Sequence, residues 1–423
     1  MNYKAEPFDL MQLLYDETGF NDHQLHCEIR LASSPEEARL RRAILLSLSS
    51  IPILATRYCD GAGSGSWEAL PDPELERAFL ATDDAAVFEA ERTYRIREEL
   101  GPQLRICLLR GGRAALAITM NHMIADGAGF KDYLYFLFET YSRLRTDPGY
   151  LPPLIDGDRG FGRVTRAFGA WAKARALLAQ GGAGSRTGRL AFPFAEGGED
   201  RPFIETLVID RDKVAALKAY CRSRGATLND AALAAYYRVL ARSIGSSALA
   251  SLEVPVMIDM RRHLPSQGFA ALHNLASTTI TRLRMREGEE FEETLAKAKA
   301  LMDGLKKGRL GLGGYVKMSL LFSLLGEGSA RKLLRLGLRH PLICMTNVGE
   351  LDADRLALDG SRPESAYLCG SIKYKPHFQM AVSGFDGTLT LSSNLYGNEE
   401  DRRRIAGFLA KVGEELSFRA GSA

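Results

Sequence analysis

Six cysteines are all that 423 residues contain, and they are scattered at Cys27, Cys59, Cys107, Cys221, Cys344 and Cys369. No C-x-x-C pair occurs and no histidine stands at zinc-finger spacing from them. That excludes a recognisable metal site or disulfide framework and predicts free thiols in a reducing cytoplasm. Long apolar runs are missing as well. A spanning helix needs about 18 or more apolar residues, and the longest segment here, Met318 to Leu325, is broken by Ser319 and Ser323. No apolar stretch follows the positive charge of Met1 to Phe8, so no signal peptide is expected. An excess of one charge is also lacking: Lys plus Arg is 55 and Asp plus Glu is 52, a formal net charge of +3. This balance argues against a surface that coats nucleic acid, while leaving room for a local basic patch that meets a phosphate-bearing co-substrate. No fixed-period repeat is visible.

What is present reads as a globular chain, 46% hydrophobic and 25% charged. Its length suits two domains of about 200 residues each. The best linker is Gln180-Gly-Gly-Ala-Gly-Ser-Arg-Thr-Gly188, because Gly and Ser there neither pack nor hold one conformation. The expected division is therefore 1–188 and 189–423, to within about ten residues. Alternation predicts strands at His23 to Leu31, Gln103 to Arg110 and Ala114 to Met120, the last two forming a hairpin across Gly111-Gly112. Shorter strands are expected at Ile51 to Tyr58 and Ser66 to Leu70. Helices are expected over Pro35 to Leu48, the aromatic run Phe130 to Leu144, and the basic run Val164 to Leu178. In the second half, helices over 212–224, 228–244, 289–307 and 399–418 alternate with strands over 203–209, 252–259, 343–347, 373–383 and 388–396. Strand and helix alternating in both halves predict an α/β (α+β) architecture.

The chemistry concentrates where the hairpin's second strand ends, at His122-Met-Ile-Ala-Asp126-Gly127. A strand-to-helix corner holds a side chain rigidly, and Gly127 and Gly129 let the backbone turn and approach a ligand. A neutral histidine in a cleft takes a proton from a hydroxyl, amine or thiol, because its ordinary pKa lies near neutrality. Three fixed positions in six are often matched by chance, and a histidine at a strand end is otherwise a satisfied polar residue. Context must decide.

That context resembles the condensation-domain and CoA-dependent acyltransferase superfamily. The resemblance is carried by Gly101 to Arg110, the hairpin, Met120 to Phe130 and Tyr141-Ser-Arg-Leu, with Ile51 to Tyr58 upstream. In the second half it is carried by Gly225-Ala-Thr-Leu-Asn-Asp, Val254-Pro-Val-Met-Ile-Asp-Met-Arg-Arg and Leu272-His-Asn-Leu-Ala-Ser-Thr. It covers nearly the whole chain in order. The resemblance implies two chloramphenicol-acetyltransferase-like domains, each a mixed sheet flanked by helices, arranged as a V around a central tunnel. It further implies an acyltransferase with His122 as general base and no covalent acyl-enzyme. Asp126 and Gly127 would complete the motif, and Arg261 would pair with Asp126 to hold the loop. Asn347 and Ser277 are the candidates for the oxyanion donor or tunnel lining. No cofactor would be bound permanently; acyl-CoA or an acyl-phosphopantetheine carrier protein would be the co-substrate. The expected partners are that donor and a small-molecule acceptor, with no nucleic acid and no metal. A monomer is expected.

Several positions depart from the pattern. Asn121 stands where many relatives have a second histidine, Leu54-Ala55 replaces a Leu-Arg pair, and His273 replaces the glycine of a Gly-Asn pair. The plant-type Asp-Phe-Gly-Trp-Gly motif is absent. The first three weigh against peptide-bond formation and motivate a non-catalytic reading, while the missing motif argues against the plant-type branch. Two further readings therefore stand beside acyl transfer. One is a non-catalytic fold that binds a carrier protein or product, and the other a wax-ester or lipid-forming transferase with peripheral membrane contact. Other signals read more plainly. Thr227 and Asp230 form a capping box, so Asn229-Asp230 is a helix start. The aromatic helix after Gly129 reads as core, His263 as a loop residue, and His273 as packed or tunnel-lining. The basic run from Lys306 to Arg339 reads first as a solvated face, with a docking surface for phosphate, an acidic carrier protein or an anionic membrane as sharper options.

Overall fold

The computed structural model describes residues 2–61, 64–160, 162–179, 190–245, 252–265, 268–307 and 311–417. The strands Leu104–Leu109 and Ala115–Asn121 pair antiparallel, with Cys107 opposite Ala117, as the Gly-Gly signal predicts. Gly111 makes the turn at φ 101°, a conformation that only glycine adopts without strain. Gln24–Arg30 pairs with the other edge of Ala115–Asn121, and Phe79–Thr82 runs parallel outside Leu104–Leu109. Every residue of Ala115–Asn121 is buried, because both faces of the strand are covered. Leu116, Ile118 and Met120 share a core with Ile44, Leu48, Phe130 and Leu134, while Ala115 and Ala117 meet Phe88 on the other face.

The helix Gly127–Thr146 follows at once. Phe130, Tyr133, Leu134, Leu137, Phe138 and Tyr141 recur every three or four residues and all are buried, so the aromatic face is core. The buried hydroxyls are satisfied. Tyr133 meets Ser47 Oγ at 3.1 Å, and Tyr141 accepts from Arg39 Nη2 at 2.8 Å.

A sheet of seven strands forms the second half. Its order is Ala276–Leu283, Leu252–Asp259, Ile343–Leu351, Phe378–Phe385, Thr388–Gly397 and Lys373–Tyr374, with Arg201–Ile209 also on Thr388–Gly397. Pairing is parallel between Ile343–Leu351 and Phe378–Phe385 and antiparallel between Phe378–Phe385 and Thr388–Gly397. Mixed sheets flanked by helices, as the resemblance implies, are the architecture of the chain. The helix Leu228–Ile244 opens on the reciprocal Thr227–Asp230 box foreseen in the sequence.

Three elements differ from expectation for local reasons. The strand expected from Ile51 begins only at Thr56, because Pro52 fixes φ and removes a donor, and Pro52–Ala55 is a 3₁₀ turn. The basic helix expected over Val164 to Leu178 is two helices, Gly162–Arg166 and Ala170–Ala179, parted around Gly169. The strand expected over Lys373 to Ser383 is split into Lys373–Tyr374 and Phe378–Phe385, with Pro376 between them.

The linker Gln180 to Gly188, and with it the 188/189 boundary, lies outside the described residues. A strand from far beyond it, Ser365–Cys369, completes the N-terminal sheet against Gln24–Arg30, with Leu368 opposite Cys27. Leu356, Leu358, Ala366, Leu368 and Phe385 join the N-terminal core in consequence. Among the described residues, no helix is long and apolar enough to cross a membrane.

Candidate functional site

The corner at His122 is built from the backbone upward. Asn121, fully buried, accepts from Met123 N at 2.8 Å and donates to Gln103 Oε1 at 2.6 Å. Gln103 in turn donates to Thr56 O and Glu98 O. The residue that stands in place of a second histidine therefore braces the turn. His122 N donates to His23 O at 2.8 Å, fixing the backbone from the neighbouring strand. Asn274 reaches across from the second half and donates to His122 O at 3.1 Å.

The imidazole itself has one tautomer. Its Nδ1 lies 2.8 Å from Ala125 O and 3.3 Å from Asn274 Nδ2; the shorter contact is to a carbonyl, which only accepts, and Asn274 Nδ2 already donates to His122 O, so Nδ1 carries the proton. Nε2 is left with a lone pair, and among the described residues nothing hydrogen-bonds to it. Burial disfavours the charged form and lowers the His122 pKa. The Ala125 hydrogen bond and the Asp126 carboxylate oppose that shift without cancelling it, and the Lys373 ammonium adds to it weakly. The ring is a neutral base with its acceptor nitrogen unoccupied.

Asp126 does two jobs. One oxygen caps the helix by accepting from Gly129 N at 2.9 Å. The other accepts from Arg261 Nη1 and from Leu275 N, both at 2.7 Å. Burial would raise its pKa, yet the Arg261 guanidinium and the Gly129 N–H hold it at about 2. Arg261 also donates to Asp259 Oδ1 at 3.2 Å and to His273 O at 3.1 Å. This one guanidinium ties the motif loop to both the strand Leu252–Asp259 and the segment after it. A second arginine, Arg159, does similar work. It donates to Leu272 O at 2.8 Å and to Ile124 O at 3.4 Å while paired with buried Asp9.

A cavity of about 1220 Å³ lies between the halves. His122, Asp126 and Gly127 line it from one side; Ser277, Asn274 and Asn347 line it from the other. A methyl group added at Gly127 would sit 2.9 Å from Val348 Cγ1, so a larger residue there would have to displace the Val348 side chain. Ser277 Oγ donates to Gly311 O at 2.7 Å, and Asn347 Nδ2 donates to Asn229 Oδ1 at 3.0 Å. Buried Ser277 thus has its only proton committed, whereas exposed Asn347 keeps the second proton of its amide nitrogen for a ligand. His273 is buried, with its pKa pushed down to about 4 by burial and Arg261, and it is not among the cavity-lining residues. His263 packs edge-on against Phe168. No group of three or more His, Cys, Asp or Glu is placed to hold a metal among the described residues.

His122, Asp126 and Arg261, expected together from the sequence, meet at one corner: Arg261 bonds the Asp126 carboxylate, and the His122 ring bonds the carbonyl of Ala125 beside it. Sequence reasoning gave no role to Asn274, Arg159 or Asp9. Their targets are mostly backbone carbonyls of distant segments, and such pairings leave no local pattern. Within the basic run, Arg331 pairs with Asp60 at 2.5 Å and with Glu17 at 3.6 Å, so part of that face is internally neutralised.

No protein-family model and no curated protein matches the chain. Solved structures do match in fold. Polyketide synthase associated protein 5 from Mycobacterium tuberculosis superposes with a TM-score of 0.70 at 16% identity, covering 99% of this chain and 98% of that one. The first condensation domain of the calcium-dependent antibiotic synthetase, in complex with a substrate analogue, gives 0.74 at 15% identity over 100% and 97%. A trichothecene 15-O-acetyltransferase from Fusarium sporotrichioides gives 0.67 at 13% identity over 99% and 95%. The chain has the fold that these condensation domains and acyltransferases share.

Proposed function

We propose that this chain, which carries the condensation-domain fold, is an acyltransferase that moves an acyl group from a thioester to a hydroxyl or amine. The observation that carries the reading is His122, a neutral imidazole with Nδ1–H tied to Ala125 O and Nε2 free, lining a cavity between two halves. Nε2 removes the acceptor's proton as its oxygen or nitrogen attacks the thioester carbonyl. The tetrahedral intermediate then collapses, the C–S bond breaks, and the imidazolium returns the proton to the departing thiolate. Both substrates meet in one cavity, so no acyl-enzyme is required. The donor is acyl-CoA or an acyl-phosphopantetheine carrier protein, and the acceptor is a small molecule.

Asp126 acts as a positioning residue. Its carboxylate accepts from Arg261, Leu275 N and Gly129 N, which fix it to the helix start and to the second half. Two observations favour catalysis over a non-catalytic fold that only binds a carrier protein or product. His122 lines a cavity, and Asp126 has its basic partner. Acceptor-dependent thiol release, measured over a panel of acyl-CoAs and acyl carrier proteins with alcohols and amines, tests the reading. Turnover with at least one pair is expected; thiol release that never depends on an acceptor would leave only the binding role.

A lipid-forming variant of the same reaction draws support from the helix Leu312–Gly337. After the break at Gly326, Leu333 and Leu336 are exposed there among Lys332 and Arg335. Flotation with anionic vesicles should then carry the protein upward, and a protein that stays at the bottom of the gradient sinks that variant.

A further inference from the structure

Lys373 belongs to no motif. It lies on the short strand Lys373–Tyr374 at the far edge of the larger sheet, is only 4% exposed, and lines the same cavity as His122. Among the described residues its ammonium has no hydrogen bond and no ion pair. The face of Phe20 lies 3.9 Å from Nζ. A buried ammonium with only a ring beneath it is costly unless an anion joins it, because the low dielectric that removes its water also strengthens any pairing.

The groups around it do not fill that need. Asp22, the acid whose charge reaches Lys373, spends one oxygen on Gln24 N and Ile372 N at 3.1 and 2.9 Å, and its other lies 3.8 Å from His26 Nε2. His340 donates through Nε2 to Thr18 Oγ1 at 2.7 Å, since that hydroxyl spends its own proton on Leu14 O. His377 donates through Nδ1 to Pro341 O at 3.0 Å. Burial keeps both rings neutral, with His340 down at about 4, helped by His377 and Lys373. Of the other cations on the cavity wall, Lys131 donates to Val348 O at 2.7 Å and Arg339 is exposed. Lys373 is thus a single uncompensated charge at a wall shared with Phe8, Met11, Tyr15 and Leu342.

We propose that Lys373 anchors the carboxylate of a ligand whose apolar body occupies this cavity. A lone ammonium is a point charge that suits one monoanionic carboxylate, whereas a phosphate dianion calls for further charged donors and the neighbouring histidines are neutral. Burial pulls the Lys373 pKa below its ordinary range, against weaker pulls from Cys344 and Asp22, and a carboxylate at Nζ holds the proton in place. Calling that ligand a substrate, an acidic acyl chain or an acidic acceptor, rests on the acyl-transfer reading; its binding does not.

Calorimetry with octanoate and with octan-1-ol separates the two claims. Wild type and His122→Ala should both bind octanoate at least about tenfold more tightly than octanol. Lys373→Met should lose that preference while retaining octanol, and Lys373→Gln should lose it too, which guards against a packing defect in one variant. Arg339→Gln should keep it. Absence of octanoate binding to wild type, equal binding of acid and alcohol, or a preference that survives in both Lys373 variants would overturn the proposal. An active enzyme with no such preference would fail this inference alone; a preference without any acyl transfer would fail the activity alone.

Discussion

At the scale of single residues, the site is a matter of committed and uncommitted atoms. His122 has one nitrogen spent on Ala125 O and one free, and burial lowers its pKa from the ordinary value of about 6.5. A base must be neutral to act, so a lowered pKa extends activity toward acid. The pH dependence of kcat/KM should therefore rise through an apparent pKa below that ordinary value and be flat through neutrality. A midpoint above pH 7 would contradict it. Asp126 gives a second expectation. Its folded-state pKa of about 2 lies below its unfolded value of about 3.9, so its contribution to stability is complete above the unfolded pKa. That contribution is lost as pH falls through the folded pKa. Asp126→Asn leaves half-buried Arg261 with only Asp259 as an anionic partner and should cost roughly 2 kcal/mol in denaturant unfolding at neutral pH. Adding Arg261→Met should cost less than the sum of the two single changes, because the pair is one unit.

Among elements, those specified locally were legible and those specified from afar were not. The hairpin around Gly111-Gly112, the helix Leu228–Ile244 and the strand Leu252–Asp259 fall where turn glycines, a capping box and apolar patterning place them. Thr227→Ala should accordingly lower stability by about 1 kcal/mol, measured by thermal or denaturant melting, and an unchanged midpoint would remove the box from the ledger of caps. The strand Ser365–Cys369 was missed because five residues after Pro363 carry no period, and its partner Gln24–Arg30 lies over 300 positions away in the chain. Helix Pro7–Glu17 was missed for a related reason. Its buried face includes Asp9 and Gln12, and Asp9 accepts from Glu6 N at the helix start while also holding distant Arg159 and Trp67. The motif triad was readable because the family pattern places His122, Asp126 and Arg261 on fixed corners. The state of the two oxyanion candidates was not, since Gly311 and Asn229 decide it from other elements.

For the whole molecule, the two halves are not independent. Ser365–Cys369 crosses back to complete the N-terminal sheet, and Arg261, Arg159 and Asn274 tie the motif loop to the second half. Residues 1–188 produced alone should therefore lack a cooperative melt, having lost Leu356, Leu358, Ala366, Leu368 and Phe385 from their core. A sharp transition in that fragment would show the halves to be separable. The same crossing explains why the cavity sits between the halves and why His122, on one side, faces residues of the other. Thiol release by purified wild type and His122→Ala, on one productive donor–acceptor pair, tests most directly whether that histidine acts as a base. A general base at His122 predicts a loss of roughly two to four orders of magnitude in kcat/KM with an unchanged melting profile. Equal rates in the two proteins would contradict it.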